Sequence, residues 1–192
     1  MHGSTISECV LCPRSFVRET AVVRYLTIVR HAKAEKPTPT QRDVERTLSD
    51  RGRRQCEQLR AWATDEGELG RFGPTTALVS AAARTRETFQ LAFDGTPFVR
   101  ASSFSELIYN GQRDVSGEDL LIDVAAIDPV TTSLLVVGHN PTVFELLWSL
   151  APEGTVSPRD GFPTAGAFVL AIPEERPIGL ARYELIARYV PD

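Results

Sequence analysis

With 192 residues, 42% of them apolar and 24% charged, the chain has the size and composition of a single globular domain with its own core. A formal net charge of -4 excludes a general nucleic-acid or membrane-surface binder, because such proteins carry a basic excess to meet phosphates. Any anion site must therefore be local. No stretch approaches the roughly 18 continuous apolar residues of a membrane span, and the start of the chain lacks a signal-peptide core, so a cytoplasmic location is expected.

Residues 1–24 have mixed composition and no period, and are expected to form a poorly ordered arm ahead of one domain over 25–192. Cys9 and Cys12 have metal-ligand spacing, but no second such pair follows, and His2 would be a poor third ligand. With Cys56 they are too few for a disulfide framework. No metal and no cofactor is expected.

Leu26–Val29 reads as a short buried strand, β-branched and apolar, that ends on Arg30 and His31. Lys33 to Thr47 is polar, and Pro37 and Pro39 keep it a loop. Ser49 is placed to cap a helix whose Cys56, Leu59, Trp62 and Ala63 share a face, with Gly52 weakening its first turn. Gly67, Gly70, Gly73 and Pro74 mark its exit. Thr76–Val79 is a second strand and Ala82–Phe93 a second helix.

Phe98–Ala101 reads as a third strand, followed by a loop carrying Glu106, Tyr109, Asn110 and Gly111. Glu118–Ile127 fits a helix ended by Pro129. Leu134–Val137 is the most apolar strand, which places it centrally. Asn140 is expected to cap a helix with Pro141 at its first position, since Val143, Leu146, Leu147 and Leu150 repeat at helical spacing. Ala167–Ile172 and Ala181–Tyr189 read as an antiparallel pair. Strands alternating with helices imply an α/β three-layer sandwich, a mostly parallel sheet with helices on both faces and an antiparallel C-terminal strand pair.

In a parallel sheet the residues following strands one, two and four share an edge, where α/β proteins bind ligands. Arg30 with His31, Ser80 with Arg84, and His139 with Asn140 would converge there. Guanidinium forks, imidazoles and a helix N-terminus are what a phosphoryl group requires, because its charge is spread over its oxygens. Each residue alone is more simply a solvated or structural one; the set is harder to explain that way.

The segment Val29–Ala34 resembles the signature of the histidine phosphatase superfamily, the phosphoglycerate mutase-like proteins, in which glycine usually follows the Arg-His pair. Ala32, Lys33 and Ala34 make it similar to the small SixA-type branch of phosphohistidine phosphatases. The likeness continues through Leu48–Gln55, Val79–Thr88, Ser105–Leu107, Val137–Pro141 and Pro163–Thr164. Two departures stand out: Ala81 replaces a proline after Ser80, and Thr47 replaces another before Leu48.

The resemblance implies that His31 is a nucleophile phosphorylated in passing, that Arg30 and Arg84 clamp the phosphoryl oxygens, and that His139 is the second pocket histidine. Glu106 falls where the family often keeps a proton donor; its simpler reading is a solvated loop carboxylate. Lys33, Arg86 and Asn140 are candidate substrate contacts, Asn140 being better explained as the helix cap. The implied protein is a monomeric phosphatase of phosphohistidine in a partner protein. A small-molecule phosphatase or mutase, a phosphate-binding module without catalysis, and a zinc protein built on Cys9 and Cys12 are the rival readings. The short span from Arg84 to His139 leaves little room for an inserted lid.

Overall fold

The computed structural model describes residues 23–64, 69–73, 75–109, 114–127, 131–157, 159, 161–173, 178–179 and 181–191. The expected arm over residues 1–24 lies outside them as far as residue 22, Cys9 and Cys12 included, whereas Val23 and Arg24 already belong to the first strand; the loop residues Asn110 and Gly111 also lie outside.

Six strands form one sheet in the order β3-β2-β4-β1-β5-β6. They are β1 (Val23–Arg30), β2 (Thr75–Ser80), β3 (Val99–Ser105), β4 (Ser133–Gly138), β5 (Ala167–Pro173) and β6 (Glu184–Tyr189). The first four run parallel to one another, whereas β5 is antiparallel to both β1 and β6. β4, the most apolar strand, is buried along its whole length between β1 and β2, as its composition implied.

Side chains alternate across the sheet and divide the core in two. Leu26, Ile28, Leu134, Val136, Phe168 and Leu170 face one side, where Leu120 and Val124 of α3 (Gly117–Ala125) and Leu146 and Leu147 of α4 (Thr142–Leu150) meet them. Val29, Ala77, Val79, Leu135, Val137 and Val169 face the other, against Cys56, Leu59 and Trp62 of α1 (Asp50–Thr64) and Phe89 of α2 (Ala83–Ala92). This is the three-layer sandwich expected.

Three local readings need correction. Asn140 is not the cap of α4: the helix begins at Thr142, Pro141 occupies the N-cap position, and the Asn140–Pro141 peptide is cis. Without a helical run through 141, the apolar repeat from Val143 onward marks the helix but not its entry. β3 extends to Ser105 because it pairs with all of β2. β6 starts only at Glu184, where its pairing with Ala171 begins.

Ser49 does cap α1, its Oγ accepting from the Gly52 N–H at 3.2 Å. Gly52 has a reason beyond helix propensity. A Cβ there would lie 2.1 Å from the Lys33 carbonyl oxygen, so only glycine lets α1 pack on the chain leaving β1.

Candidate active site

Parallel register brings the strand ends to one edge. Arg30 pairs with Gly138 and Val79 with Val137, so His31, His139 and the turn after Ser80 emerge side by side. The His31 backbone is pinned on both sides: its N–H donates to the Gly138 carbonyl at 3.0 Å, and its own carbonyl accepts from Ala165 at 3.2 Å. Behind it, the Ala32 N–H donates to Thr88 Oγ1 at 3.0 Å, and Ala32 is wholly buried where the family signature usually has glycine.

A cavity of about 210 Å³ opens at this edge, lined by Arg30, His31, Lys33, Ala34, Arg46, Arg84, His139, Asn140 and Thr164. Its lining is cationic, in a chain that is acidic in sum. Among the described residues, Arg30 Nε, His139 Nδ1 and Asn140 Oδ1 are buried without a hydrogen-bond partner. Buried polar atoms left so are costly unless something meets them.

His31 Nδ1 lies 2.7 Å from the Ala32 carbonyl. A carbonyl only accepts, so Nδ1 carries the proton and Nε2 keeps its lone pair. Burial, opposed by that hydrogen bond and aided by Arg84, Arg30 and Arg46, pushes the ring down to about 3. His31 is therefore a neutral base near pH 7, with an unprotonated nitrogen beside cations. The His139 ring centre is 5.0 Å away. Burial first, then His31 and Arg84, bring His139 down to about 2.

The arginines are held from behind. Arg30 donates to the Phe162 carbonyl at 2.6 Å. Arg84, only 6% exposed on α2, donates to the Asp43 carbonyl at 2.7 Å and to Asp43 Oδ2 at 2.9 Å. Asp43 Oδ1 takes Arg46 at 2.7 Å, and Tyr109 donates to Oδ2 at 2.9 Å. Burial alone would raise the Asp43 carboxyl, but the bonds from Arg46, Tyr109 and Arg84 outweigh it and hold it at about 2. One carboxylate thus fixes two guanidinium groups at the cavity.

Of the residues singled out in the sequence, Arg30, His31, Lys33, Arg84, His139 and Asn140 meet at this cavity. Asn140 donates through Nδ2 to the Phe162 carbonyl at 3.3 Å, leaving Oδ1, an acceptor that a phosphoryl oxygen does not favour. Arg86 does not line the cavity. It is exposed, with its guanidinium 5.0 Å from the Phe104 ring centre. Residues two apart on a helix face opposite ways, so Arg84 and Arg86 could not both point in.

Glu106 is also exposed and outside the lining, because it follows β3, the edge strand, one position further from the sheet centre than β2. Tyr109, three residues further on, packs instead against His139 from outside the lining, its ring 5.6 Å from that of the histidine. Sequence reasoning missed Arg46, Asp43, Gln55 and Thr164. Gln55 Oε1 accepts from the Lys33 N–H at 3.0 Å while its Nε2 donates to Thr164 Oγ1 at 3.2 Å, tying two cavity walls together. The signal for Gln55 was a polar residue on the apolar face of α1, immediately before Cys56.

Comparison with known proteins agrees with this geometry. Residues 26–115 match the model of the histidine phosphatase superfamily, branch 1. The SixA protein of Agrobacterium tumefaciens is 29% identical, with a TM-score of 0.69, covering 89% of this chain and 99% of that one. SixA of Nakamurella multipartitia is 25% identical at the same TM-score, covering 88% and 96%. An uncharacterised Mycobacterium leprae protein is 29% identical over 175 residues, 85% of this chain and 99% of its own length. A protein histidine phosphatase SixA solved with tungstate shares the fold at 18% identity and a TM-score of 0.65, with 85% and 95% covered. With its Arg-His pair and second histidine meeting at the shared edge of a phosphoglycerate mutase-like sheet, the chain is similar to the histidine phosphatase superfamily, whose model its residues 26–115 match, and to the SixA-type proteins that share its fold.

Proposed function

We propose that this protein is a cofactor-independent phosphatase that works through phospho-His31 and acts on phosphohistidine in a partner protein. The observation that carries the reading is His31, neutral and with a free Nε2, facing a cavity walled by Arg30, Arg46, Arg84 and Lys33. Binding alone would call for the cations but not for a nucleophile among them.

Nε2 of His31 attacks phosphorus in line, forming a P–N bond as the bond to the leaving group breaks. The guanidinium groups meet the charge that spreads over the phosphoryl oxygens. A leaving imidazole departs neutral when its other nitrogen holds a proton, so no strong acid is needed. Water then attacks phosphorus, its proton passes to the released phosphate, and the His31 lone pair is restored. The exposed position of Glu106 fits a substrate with such a leaving group better than an alkyl phosphate, whose alkoxide needs a proton.

Openness supports a protein substrate. Between Arg84 and His139 the described helices and strands are the remainder of α2, β3, α3 and β4, with no further element inserted among them. A mutase must retain its product beside the phosphoenzyme, which such a site does little to enforce. The likeness to SixA proteins, one of them a protein histidine phosphatase, points the same way.

The test is a substrate panel of a phosphohistidine protein, free phosphohistidine and small phosphomonoesters, assayed with the wild-type protein and His31→Ala. We expect the phosphohistidine protein to be turned over fastest, and no turnover of any substrate by the folded variant. Full activity in His31→Ala would remove the mechanism; preference for a small ester would remove the substrate class.

A further inference from the structure

His139 lines the cavity yet is only 4% exposed, and Ser80, at the end of β2, is wholly buried against it. Ser80 Oγ and His139 Nε2 are 2.8 Å apart. Among the described residues no other partner is recorded for that hydroxyl, and His139 Nδ1 has none at all. With Nε2 engaged by Ser80, the side-chain polar atom left to His139, a residue of the cavity lining, is the buried Nδ1.

A neutral imidazole has one N–H, and its neighbours decide which nitrogen bears it. If Nε2 bore it, Nδ1 would present a bare lone pair in a pocket built for an anion, and would repel a phosphoryl oxygen. If Ser80 donates instead, Nε2 accepts and Nδ1 becomes an N–H donor. The first arrangement leaves a buried acceptor among cations without a bond; the second turns the same atom into a ligand for an oxyanion.

We propose that Ser80 is a positioning residue that holds His139 as its Nδ1–H tautomer, so that this ring gives a neutral hydrogen-bond donor to the phosphoryl group. The inference rests on the phosphoryl-transfer reading for the destination of that N–H. His31 and His139 then share one tautomer but are turned opposite ways. A backbone carbonyl takes the His31 proton and exposes a lone pair; a serine hydroxyl takes the His139 lone pair and exposes a proton. Two chemically identical rings 5.0 Å apart thereby become a nucleophile and an oxyanion donor. Free histidine favours the Nε2–H form, so the Ser80 hydroxyl is what opposes that preference.

The experiment is long-range ¹H–¹⁵N NMR of histidine-labelled protein without substrate, with His31→Asn and His139→Asn to assign the rings. We expect Nδ1 of His139 to be pyrrole-like and Nε2 pyridine-like at pH 7. In Ser80→Ala the proton should move toward Nε2, and vanadate, an oxyanion probe, should bind about tenfold more weakly, as for the loss of one oriented hydrogen bond. Ser80→Thr, which keeps the hydroxyl, should restore both. An Nε2–H signal in the wild-type protein overturns the proposal whether or not the variants fold. So does a Ser80→Ala protein with unchanged ring signals and vanadate affinity. Failure of the phosphatase reading looks different: wild-type protein without turnover or vanadate binding, its His139 tautomer still Nδ1–H.

Discussion

Replacing Gly52 by alanine should be strongly destabilising, against what helix propensity says. In an exposed helix the change would gain about 1 kcal/mol. Here the new Cβ would lie 2.1 Å from the Lys33 oxygen, 3.0 Å from its carbonyl carbon and 3.1 Å from its nitrogen. Reaching ordinary contact requires the α1 N-terminus and the Lys33 backbone to part by roughly 1 Å. That movement stretches three hydrogen bonds: Ser49 N–H to the Lys33 carbonyl at 2.9 Å, Ser49 Oγ to the same oxygen at 3.0 Å, and Lys33 N–H to Gln55 at 3.0 Å.

Losing two of the three costs about 2 kcal/mol and overpacking another 1–3, so after the propensity gain the net loss is about 2–4 kcal/mol. For a chain of this size that lowers Tm by roughly 5–15 °C. Urea denaturation and thermal melting of Gly52→Ala would measure it. Because Lys33 lines the cavity, vanadate affinity should fall as well. A variant as stable as wild type, or more stable, would refute the close-approach argument.

The two pocket histidines imply a pH signature. Held at about 3 and about 2 against 6.5, they stay neutral in the native protein while the unfolded chain takes up protons below pH 6.5. Stability should therefore fall on acidification through pH 6.5 to 5, above the carboxylate range, by up to about 1.4 kcal/mol per pH unit per ring. The slope should shrink in His139→Asn; a flat urea midpoint over that window contradicts the burial of neutral rings. Arg46→Ala should weaken vanadate binding by about 1.5–3 kcal/mol, the worth of a charged hydrogen bond, and unchanged affinity would place Arg46 outside the anion site. Glu106→Gln should alter phosphohistidine turnover by less than about twofold, since an exposed carboxylate off the cavity transfers no proton; a large loss would make Glu106 the acid after all.

The frame was readable because its signals are local and repetitive. β4 announces itself as an apolar run, α4 as a 3.6-residue repeat and α1 by its serine cap, and a parallel sheet then obliges Arg30, His31, Arg84 and His139 to meet. What was not readable is tertiary. Nothing in the loop between Lys33 and Thr47 has a period, so the return of Arg46 to the cavity, with Asp43 holding it, depends on contacts with Arg84 and Tyr109, residues 41 and 66 positions from Asp43. Arg86 was legible after all: helical geometry alone separates it from Arg84. The entry of α4 was not, since a cis peptide leaves no mark in the apolar pattern.

The sharing of Asp43 has a consequence for how this site tolerates change. Since one carboxylate serves Arg46, Arg84 and Tyr109 together, these positions are not independent units of the cavity. In a double-mutant cycle, loss of Asp43 followed by loss of either arginine should cost less than the two single losses combined, because the first change has already freed the second side chain. Viable sequences would then be found by altering the four positions as a group, and libraries varied one site at a time would pass over them.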